Sequence, residues 1–272
     1  MKNLLLLSLF ITFILQGCGG ESISNGESIS NNVLVYNKEE SSIKRGGQNG
    51  MTYKGEFYSG KYIHYHDDGT LSKVKEKGSY KNGQMDDFWE GYNEDGRLMF
   101  KGSFLKGKKN GFWEEYYRTG TLRYKGCYLN GKANGVWEEY YYDGPLDVKG
   151  SYLNGEPNGV WEWYYENGQL REKGSYLNGE RNGVWEEYYY EGQLSSKGSC
   201  LNGYKNGVWE GYHKNGQLSS KGSYLNGEQK GVWEGYHQNG QLSSKGSYLN
   251  GEQKGVWEWY NEDGSLFSTR TW

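Results

Sequence analysis

Short runs of alternating aromatic and polar residues, separated by glycine and asparagine, fill residues 53 to 272. A tryptophan recurs every 24 residues, eight times in all. In each period Glu follows this tryptophan directly, Tyr lies three residues after it, Gly seven and Leu nine. Lys and Gly lie twelve and eleven residues before it. A ninth, degraded copy lies between Tyr53 and Lys77. Repeats of this length indicate stacked supersecondary units. The eight tryptophans are Trp89, Trp113, Trp137, Trp161, Trp185, Trp209, Trp233 and Trp257.

Two glycine-containing turns in each unit predict a β-hairpin. We predict a two-residue type I′ turn at Asn239–Gly240, which requires positive φ at both positions. This turn sets a register in which Glu234 faces Lys245 and Trp233 faces Gly246. The Trp233 ring is then expected to cover the Gly246 backbone, and the Glu–Lys pair to be a favourable cross-strand contact.

The longer turn in each unit is interpreted as a four-residue loop over residues 227 to 230, with a five-residue loop as the alternative. The four-residue loop places Tyr224 opposite Trp233, and Leu225 opposite Val232. One face would then carry Trp, Tyr and Gly, and the other Val, Leu, a second Tyr and a ladder of Glu and Lys. The predicted fold is all-β: an elongated single-layer antiparallel meander of repeated β-hairpins.

Composition supports a thin sheet. Of 272 residues only 34% are hydrophobic, while there are 44 glycines, 27 tyrosines and 11 tryptophans. Aliphatic residues are too scarce for a thick core, so aromatic rings must supply most of the buried apolar area. A net charge of -3 without a basic cluster argues against a nucleic-acid partner.

The Glu, His and Cys residues that could in principle act in catalysis or bind a metal are better explained as structural parts of the repeat. Eight copies of one glutamate opposite a lysine indicate a structural ladder, so no catalytic residue is predicted. His213 and His237 occupy the same position in adjacent units, about 10 Å apart, which is too far to share a metal. Cys127 and Cys200 should lie on opposite faces, three units apart, so no disulfide can join them. Neither a metal nor a cofactor is predicted.

Aromatic residues at the more variable positions are the candidate binding groove, because the repeat itself does not require them. The alternative is that these rings only stack on one another. The groove residues are Trp163, Trp259, Tyr117, Tyr141, Tyr165 and Tyr189.

The first residues have the pattern of an export signal. Met1 and Lys2 precede an apolar run from Leu4 to Leu15 that is too short to span a bilayer. The sequence Leu-Gln-Gly-Cys that ends at Cys18 resembles the lipobox of bacterial lipoproteins, which implies cleavage before Cys18 and its lipidation, although Gln16 departs from the usual small residue. An ordinary signal peptide is the alternative.

We therefore predict three segments: a lipoprotein signal peptide at residues 1 to 17, the lipidated Cys18 with a flexible tether at 18 to 50, and a repeat domain at 51 to 272. The tether is polar and contains a duplicated GESIS, a composition that cannot bury enough surface to offset ordering. A short strand is predicted at residues 33 to 36.

The unit KGSYLNGEQKGVWEGYHQNGQL resembles the bacterial variant of the MORN repeat, over residues 53 to 272. Such proteins are often catalogued as antitoxin-like, and MORN proteins generally act as scaffolds for protein or membrane contacts. The resemblance implies a non-enzymatic scaffold with an unknown protein partner. The lipobox-like start places it on a membrane at the bacterial cell envelope, which favours an immunity-like role over a cytoplasmic antitoxin. The alternative is a carbohydrate or cell-wall binder that uses stacked Trp and Tyr.

Overall fold

The computed structural model describes residues 33–36, 43–46, 50–53, 55–66 and 73–272. The predicted signal peptide, Cys18 and most of the predicted tether lie outside the described residues. The described residues of the tether include two short strands, at Val33–Tyr36 and Ile43–Gly46. The described part of the chain contains no helix that is long and apolar enough to cross a membrane.

The chain divides into two compact structural units, each larger than a single 24-residue repeat. The first contains the described residues up to Gly144 together with Tyr152–Gly155, and the second contains Pro145–Ser151 and Glu156–Trp272. The strands up to the boundary are β1 (Val33–Tyr36), β2 (Ile43–Gly46), β3 (Gly50–Tyr53), β4 (Glu56–Phe57), β5 (Gly60–Tyr65), β6 (Val74–Lys81), β7 (Gln84–Tyr92), β8 (Leu98–Leu105), β9 (Lys108–Tyr116), β10 (Leu122–Leu129), β11 (Lys132–Tyr140) and β12 (Leu146–Leu153). Those that follow are β13 (Glu156–Pro157), β14 (Gly159–Tyr164), β15 (Leu170–Leu177), β16 (Glu180–Arg181), β17 (Gly183–Tyr188), β18 (Leu194–Leu201), β19 (Tyr204–Tyr212), β20 (Leu218–Leu225), β21 (Glu228–Tyr236), β22 (Leu242–Leu249), β23 (Glu252–Tyr260) and β24 (Leu266–Thr271).

Consecutive strands pair antiparallel within each unit. From β5 to β11 in the first unit each strand pairs with the next, and the same holds from β17 to β24 in the second. Two short strands pair outside this series: β1 pairs in parallel with β5, and β2 pairs with β3 in a separate small sheet. The predicted all-β meander of repeated hairpins is confirmed.

The register predicted for the β21–β22 hairpin is confirmed, because Glu234 pairs with Lys245 and Trp233 with Gly246. The predicted turn type is wrong. Only Gly240 has positive φ, at 85°, and the amide oxygen of Asn239 accepts a hydrogen bond from the backbone N–H of Gln241 at 3.0 Å. Asn239 therefore stabilises the loop through its side chain.

This loop is longer than predicted, yet the register survives. The backbone N–H of His237 donates to the carbonyl of Gln241 at 2.8 Å, which closes the loop over these five residues. Pairing then shifts by one residue, since Tyr236 pairs with Leu242 whereas Gly235 pairs with Ser244. The extra residue in β22 is a β-bulge, and it restores the register that a two-residue turn would have set.

The register predicted for the β20–β21 hairpin is wrong. Asn226 and Gly227 have φ values of 51° and 87°, so the type I′ turn lies here and Leu225 pairs with Glu228. Tyr224 consequently pairs with Gln229, and neither Trp233 nor Val232 has the predicted partner. Both turns contain Asn-Gly, but only Asn226–Gly227 has positive φ at both residues.

The repeated indoles make up most of the core, and Leu34, Met51, Tyr58 and Tyr62 add a cluster around Trp89. All eight tryptophans except Trp233 are buried. Each ring lies on the glycine eleven residues before it, so the Trp233 ring covers Gly222, where a Cβ would lie 2.0 Å from the ring. The expectation that the Trp233 ring covers Gly246 is wrong: Gly246 lies under Trp257. A hydrogen bond explains why the Trp233 ring leans towards Gly222 and not towards Gly246. The indole N–H of Trp233 donates to the carbonyl of Ser223, next to Gly222.

Candidate functional site

Two faces with different chemistry result from this register. The indole face carries the repeated Trp, the glycine beneath it and the Tyr nine residues before it. In the second unit, Tyr224 packs edge-to-face between Trp209 and Trp233, at 6.3 and 5.1 Å between ring centroids. The opposite face, which we call the ladder face, carries the repeated Glu, the Tyr two residues after it and the Lys of the neighbouring strands. The indole face is therefore mostly a closed core, and the ladder face is the more accessible surface.

Glu210 shows how the ladder neutralises its own charges. The carboxylate accepts a hydrogen bond from the Tyr212 hydroxyl at 2.8 Å and forms ion pairs with Lys221 at 3.1 Å and Lys197 at 3.4 Å. The hydrogen bonds from Tyr212 and Lys221 lower the pKa of Glu210 to about 2. Burial and the hydrogen bond to Glu210 raise the pKa of the Tyr212 hydroxyl. A carboxylate held in this way is a poor general base at neutral pH.

Other members of the ladder repeat this geometry. Glu162 is 2.7 Å from Lys149 and 3.5 Å from Lys173, and the Tyr164 hydroxyl donates to it at 2.7 Å. Lys245 is 3.0 Å from Glu234, as the sequence predicted. Among the described residues, no group of three or more His, Cys, Asp or Glu side chains could hold a metal ion. Cys200 is a buried free thiol and is not joined to Cys127.

The ladder face also carries a regular set of exposed apolar side chains, on the face where the sequence placed Val and Leu. We call it the aliphatic file: the Val or Phe directly before each Trp and the Leu eight residues before it. Val184 is 60% exposed, next to a tryptophan that is fully buried. Its exposed members are Phe88, Phe112, Val136, Val160, Val184, Val208, Val232 and Val256, with Leu105, Leu129, Leu153, Leu177, Leu201, Leu225 and Leu249. The alternation of Val with Trp explains this file, because neighbours on a strand point to opposite faces.

The tyrosines of the predicted groove connect successive repeats. The hydroxyls of Tyr117, Tyr165 and Tyr189 donate to the carbonyl oxygens of Tyr140, Tyr188 and Tyr212, at 2.7 to 2.9 Å. Tyr141 is half-buried, and its carbonyl accepts from the N–H of Gly144.

His213 and His237 take the same place in later repeats, and each Nε2 donates to a carbonyl 23 residues further on at 2.8 Å. Asn167, Asn215 and Asn239 add a second hydrogen bond of the same span, from the side-chain amide to a carbonyl. We call these hydrogen bonds rungs. The Tyr or His four residues after the repeated tryptophan therefore has a structural role, because it joins one repeat to the next.

The two tryptophans of the predicted groove have different surroundings. Trp163 lies between two other indoles, at 5.9 Å from Trp161 and 5.7 Å from Trp185. Trp259 packs on Trp257 at 6.2 Å and also lines an open cavity of about 860 Å³. Trp163 is therefore partly buried against the core indoles, whereas Trp259 lines a surface site.

Comparison with protein families matches the model described as "MORN repeat variant" at residues 109–130, 157–178, 181–199, 205–226 and 229–250. Five segments of the chain therefore match this repeat. Each matched segment spans two paired strands and the loop between them. That loop contains Asn-Gly in three of the five segments, Thr119-Gly120 in the first and Glu191-Gly192 in the third. No curated protein matches the chain.

Solved structures similar to this chain include those of TcdB2-TccC3-Cdc42 and of TcdB2-TccC3, at 11% and 12% sequence identity. Each match has a TM-score of 0.20 and covers 73% and 74% of this chain, respectively. The chain spans only 13% of the length of either protein. At this TM-score, neither structure bears on function.

Proposed function

We propose that this protein is a non-enzymatic scaffold whose MORN repeats bind a protein partner along the ladder face. The aliphatic file carries this proposal. In each repeat from that of Trp113 onwards, a Val or Phe and a Leu remain about half exposed, although full burial of such a side chain contributes roughly 1.5–3 kcal/mol. Exposed apolar side chains that recur in successive repeats of one unit are typical of an interaction site.

The spacing and charge of the ladder face define the partner. From one repeat to the next, equivalent members of the file, such as successive Val residues, are two strands apart, or about 10 Å. The carboxylates beside them are already paired with lysines, as at Glu210 and Glu162. The expected partner therefore presents apolar side chains at a similar spacing, without a strong charge of either sign.

A capture experiment tests this role. The full-length chain, carrying Val160→Ser, Val184→Ser and Val208→Ser together, is compared with wild type for the proteins that it retains from an extract of its own cell. Wild type should retain a discrete protein that the triple variant loses. Tyr190→Ser is the matched control, because Tyr190 is 54% exposed but lies outside the file. Equal retention by the wild type and the triple variant would refute the proposal.

We further propose that the scaffold is anchored by a lipid on Cys18 at the bacterial cell envelope, and that it acts there as an immunity-like protein. The lipobox-like sequence ending at Cys18 supports the anchor. Wild type should fractionate with membranes and incorporate labelled fatty acid, and Cys18→Ser should do neither. Membrane association that survives Cys18→Ser would contradict the anchor while leaving the ladder-face proposal intact.

A sugar platform along the whole tryptophan file is less favoured, because a buried indole has no ring face to offer. Trp185 is fully buried, and six of the other seven are also buried. The pattern of burial therefore favours a protein partner over a carbohydrate that stacks on every repeat.

A further inference from the structure

The position two residues after the repeated tryptophan is occupied in several ways along the chain. It is Gly at Gly211 and Gly235, and Trp at Trp163 and Trp259. The cross-strand neighbours of Trp163 are Val148 and Glu172, and the ring has other indoles on both sides. This tryptophan has a packing role.

Trp259 has smaller neighbours. Its cross-strand partners are Ser244 in β22 and Ser268 in β24. These short side chains leave space beside the ring, and the cavity of about 860 Å³ occupies that space. Its size is within the range of small-molecule sites, about 300–1,000 Å³.

Strand β24 departs from the repeat at the positions that shape this cavity. Phe267 replaces the Ser found at positions 195, 219 and 243, and it is 72% exposed. Arg270 stands opposite Trp257, where the preceding repeats have Gly. Its guanidinium lies 3.7 Å from the centre of the Trp272 ring. The repeat fold requires neither Phe267 nor Arg270.

The cavity lining combines two kinds of group. Trp259 and Phe267 supply apolar ring surface, while Ser243, Ser244, Ser268 and Arg270 supply hydroxyl and guanidinium groups. A pyranose ring has the complementary chemistry, since its C–H face is apolar and its edge carries hydroxyls that donate and accept hydrogen bonds. A purely apolar ligand would leave the polar groups of the lining unpaired.

We propose that this cavity is a saccharide-binding site, in which a short oligosaccharide stacks on Trp259 and its hydroxyls bind the serines and Arg270. The site lies outside the aliphatic file and takes a ligand of a different class from the partner proposed above. It does not depend on the protein-scaffold role.

The test uses the full-length chain on an array of immobilised neutral, amino and uronic oligosaccharides. The saccharide that is best retained is then titrated by calorimetry. Trp259→Gly should weaken binding at least tenfold while preserving the fold, because Gly is the native residue at the same position in three earlier repeats, at Gly91, Gly211 and Gly235. Phe267→Ser and Arg270→Gly restore the repeat residues and should also weaken binding.

Trp163→Ala is the matched control, measured at a temperature where circular dichroism shows it to be folded. It should bind the saccharide with unchanged affinity. The proposal is overturned if the array retains no saccharide, or if Trp259→Gly, Phe267→Ser and Arg270→Gly all bind as wild type does. Loss of saccharide binding in the cavity variants with normal protein capture would separate this site from the ladder face.

Discussion

Replacing Gly198 with Ala tests the packing of the indoles most directly. A Cβ at Gly198 would lie 2.2 Å from Cδ2 of Trp209, whereas ordinary contacts begin at 3.4 Å. The ring must therefore move by about 1.2 Å. Gly198 has no positive φ, so the substitution introduces a steric clash and no backbone strain.

The displacement has a calculable effect on stability. It overpacks the core, which typically lowers stability by about 1–3 kcal/mol. It also breaks the hydrogen bond from the Trp209 indole N–H to the Ser199 carbonyl, now 2.9 Å long, which adds about 1 kcal/mol. At roughly 2–4 °C per kcal/mol for a domain of this size, the melting temperature should fall by about 5–15 °C.

Gly211→Ala is the control in the same repeat. A Cβ there would meet only the hydroxyl oxygens of Ser220 and Ser219, at 2.6 and 3.0 Å, and these side chains can rotate away. The change should therefore lower stability by less than about 0.5 kcal/mol.

Double-mutant cycles with Trp209→Ala decide which glycine lies under the ring. Gly198→Ala should couple strongly to Trp209, and Gly222→Ala should not, because Gly222 lies under Trp233. Similar thermal melts for Gly198→Ala and Gly211→Ala, or stronger coupling of Trp209 to Gly222, would refute the reasoning.

Three further predictions concern the turns, the ladder and the rungs. Asn226→Ala should lower the free energy of unfolding by about 1–2 kcal/mol, because Asn226 has a φ of 51°; Asn226→Gly should be nearly neutral in the same urea titration, and an equal loss would argue against the turn. The pKa of Glu210 is lowered to about 2 in the folded state. Its carboxylate therefore stabilises the folded protein fully above the unfolded pKa of about 4.3, and this stabilisation is lost as the pH falls towards 2. The melting temperature of Glu210→Gln should depend less on pH over that interval than the melting temperature of wild type does. Tyr165→Phe removes a hydroxyl that donates to the Tyr188 carbonyl at 2.8 Å and should destabilise by about 0.5–1.5 kcal/mol, whereas Tyr190→Phe, exposed at the loop, should melt as wild type does.

The sequence predicted the repeat length, the hairpin in each unit and the pairing of Glu234 with Lys245, because periodic spacing and cross-strand charge are local properties. It did not predict which Asn-Gly forms the type I′ turn. Gly follows both Asn226 and Asn239. The Asn239 side chain differs because it accepts a hydrogen bond from the backbone N–H of Gln241 and donates one to the carbonyl of Glu262 in the next repeat. That distinction depends on contacts between strands, which a single chain segment does not contain.

The candidate site was predictable in part for the same reason. Trp163 and Trp259 are identical in sequence position, and only their cross-strand neighbours separate a packed indole from one that lines a cavity. The side toward which each Trp ring leans was also unpredictable from spacing, because glycines flank it on both neighbouring strands.

The rungs join each side chain to a carbonyl 23 residues further along the chain, at Tyr165, Tyr189, His213 and His237. The rung tolerates a longer loop, because His66, in the corresponding place of the ninth copy, reaches the carbonyl of Tyr92, 26 residues further on, at 3.1 Å. Removal of a whole 24-residue period would likewise rejoin donors to equivalent acceptors. Gene duplication and loss can therefore change the length of this protein by one complete hairpin without breaking the rungs, and each step adds or removes one Val or Phe and one Leu on the ladder face.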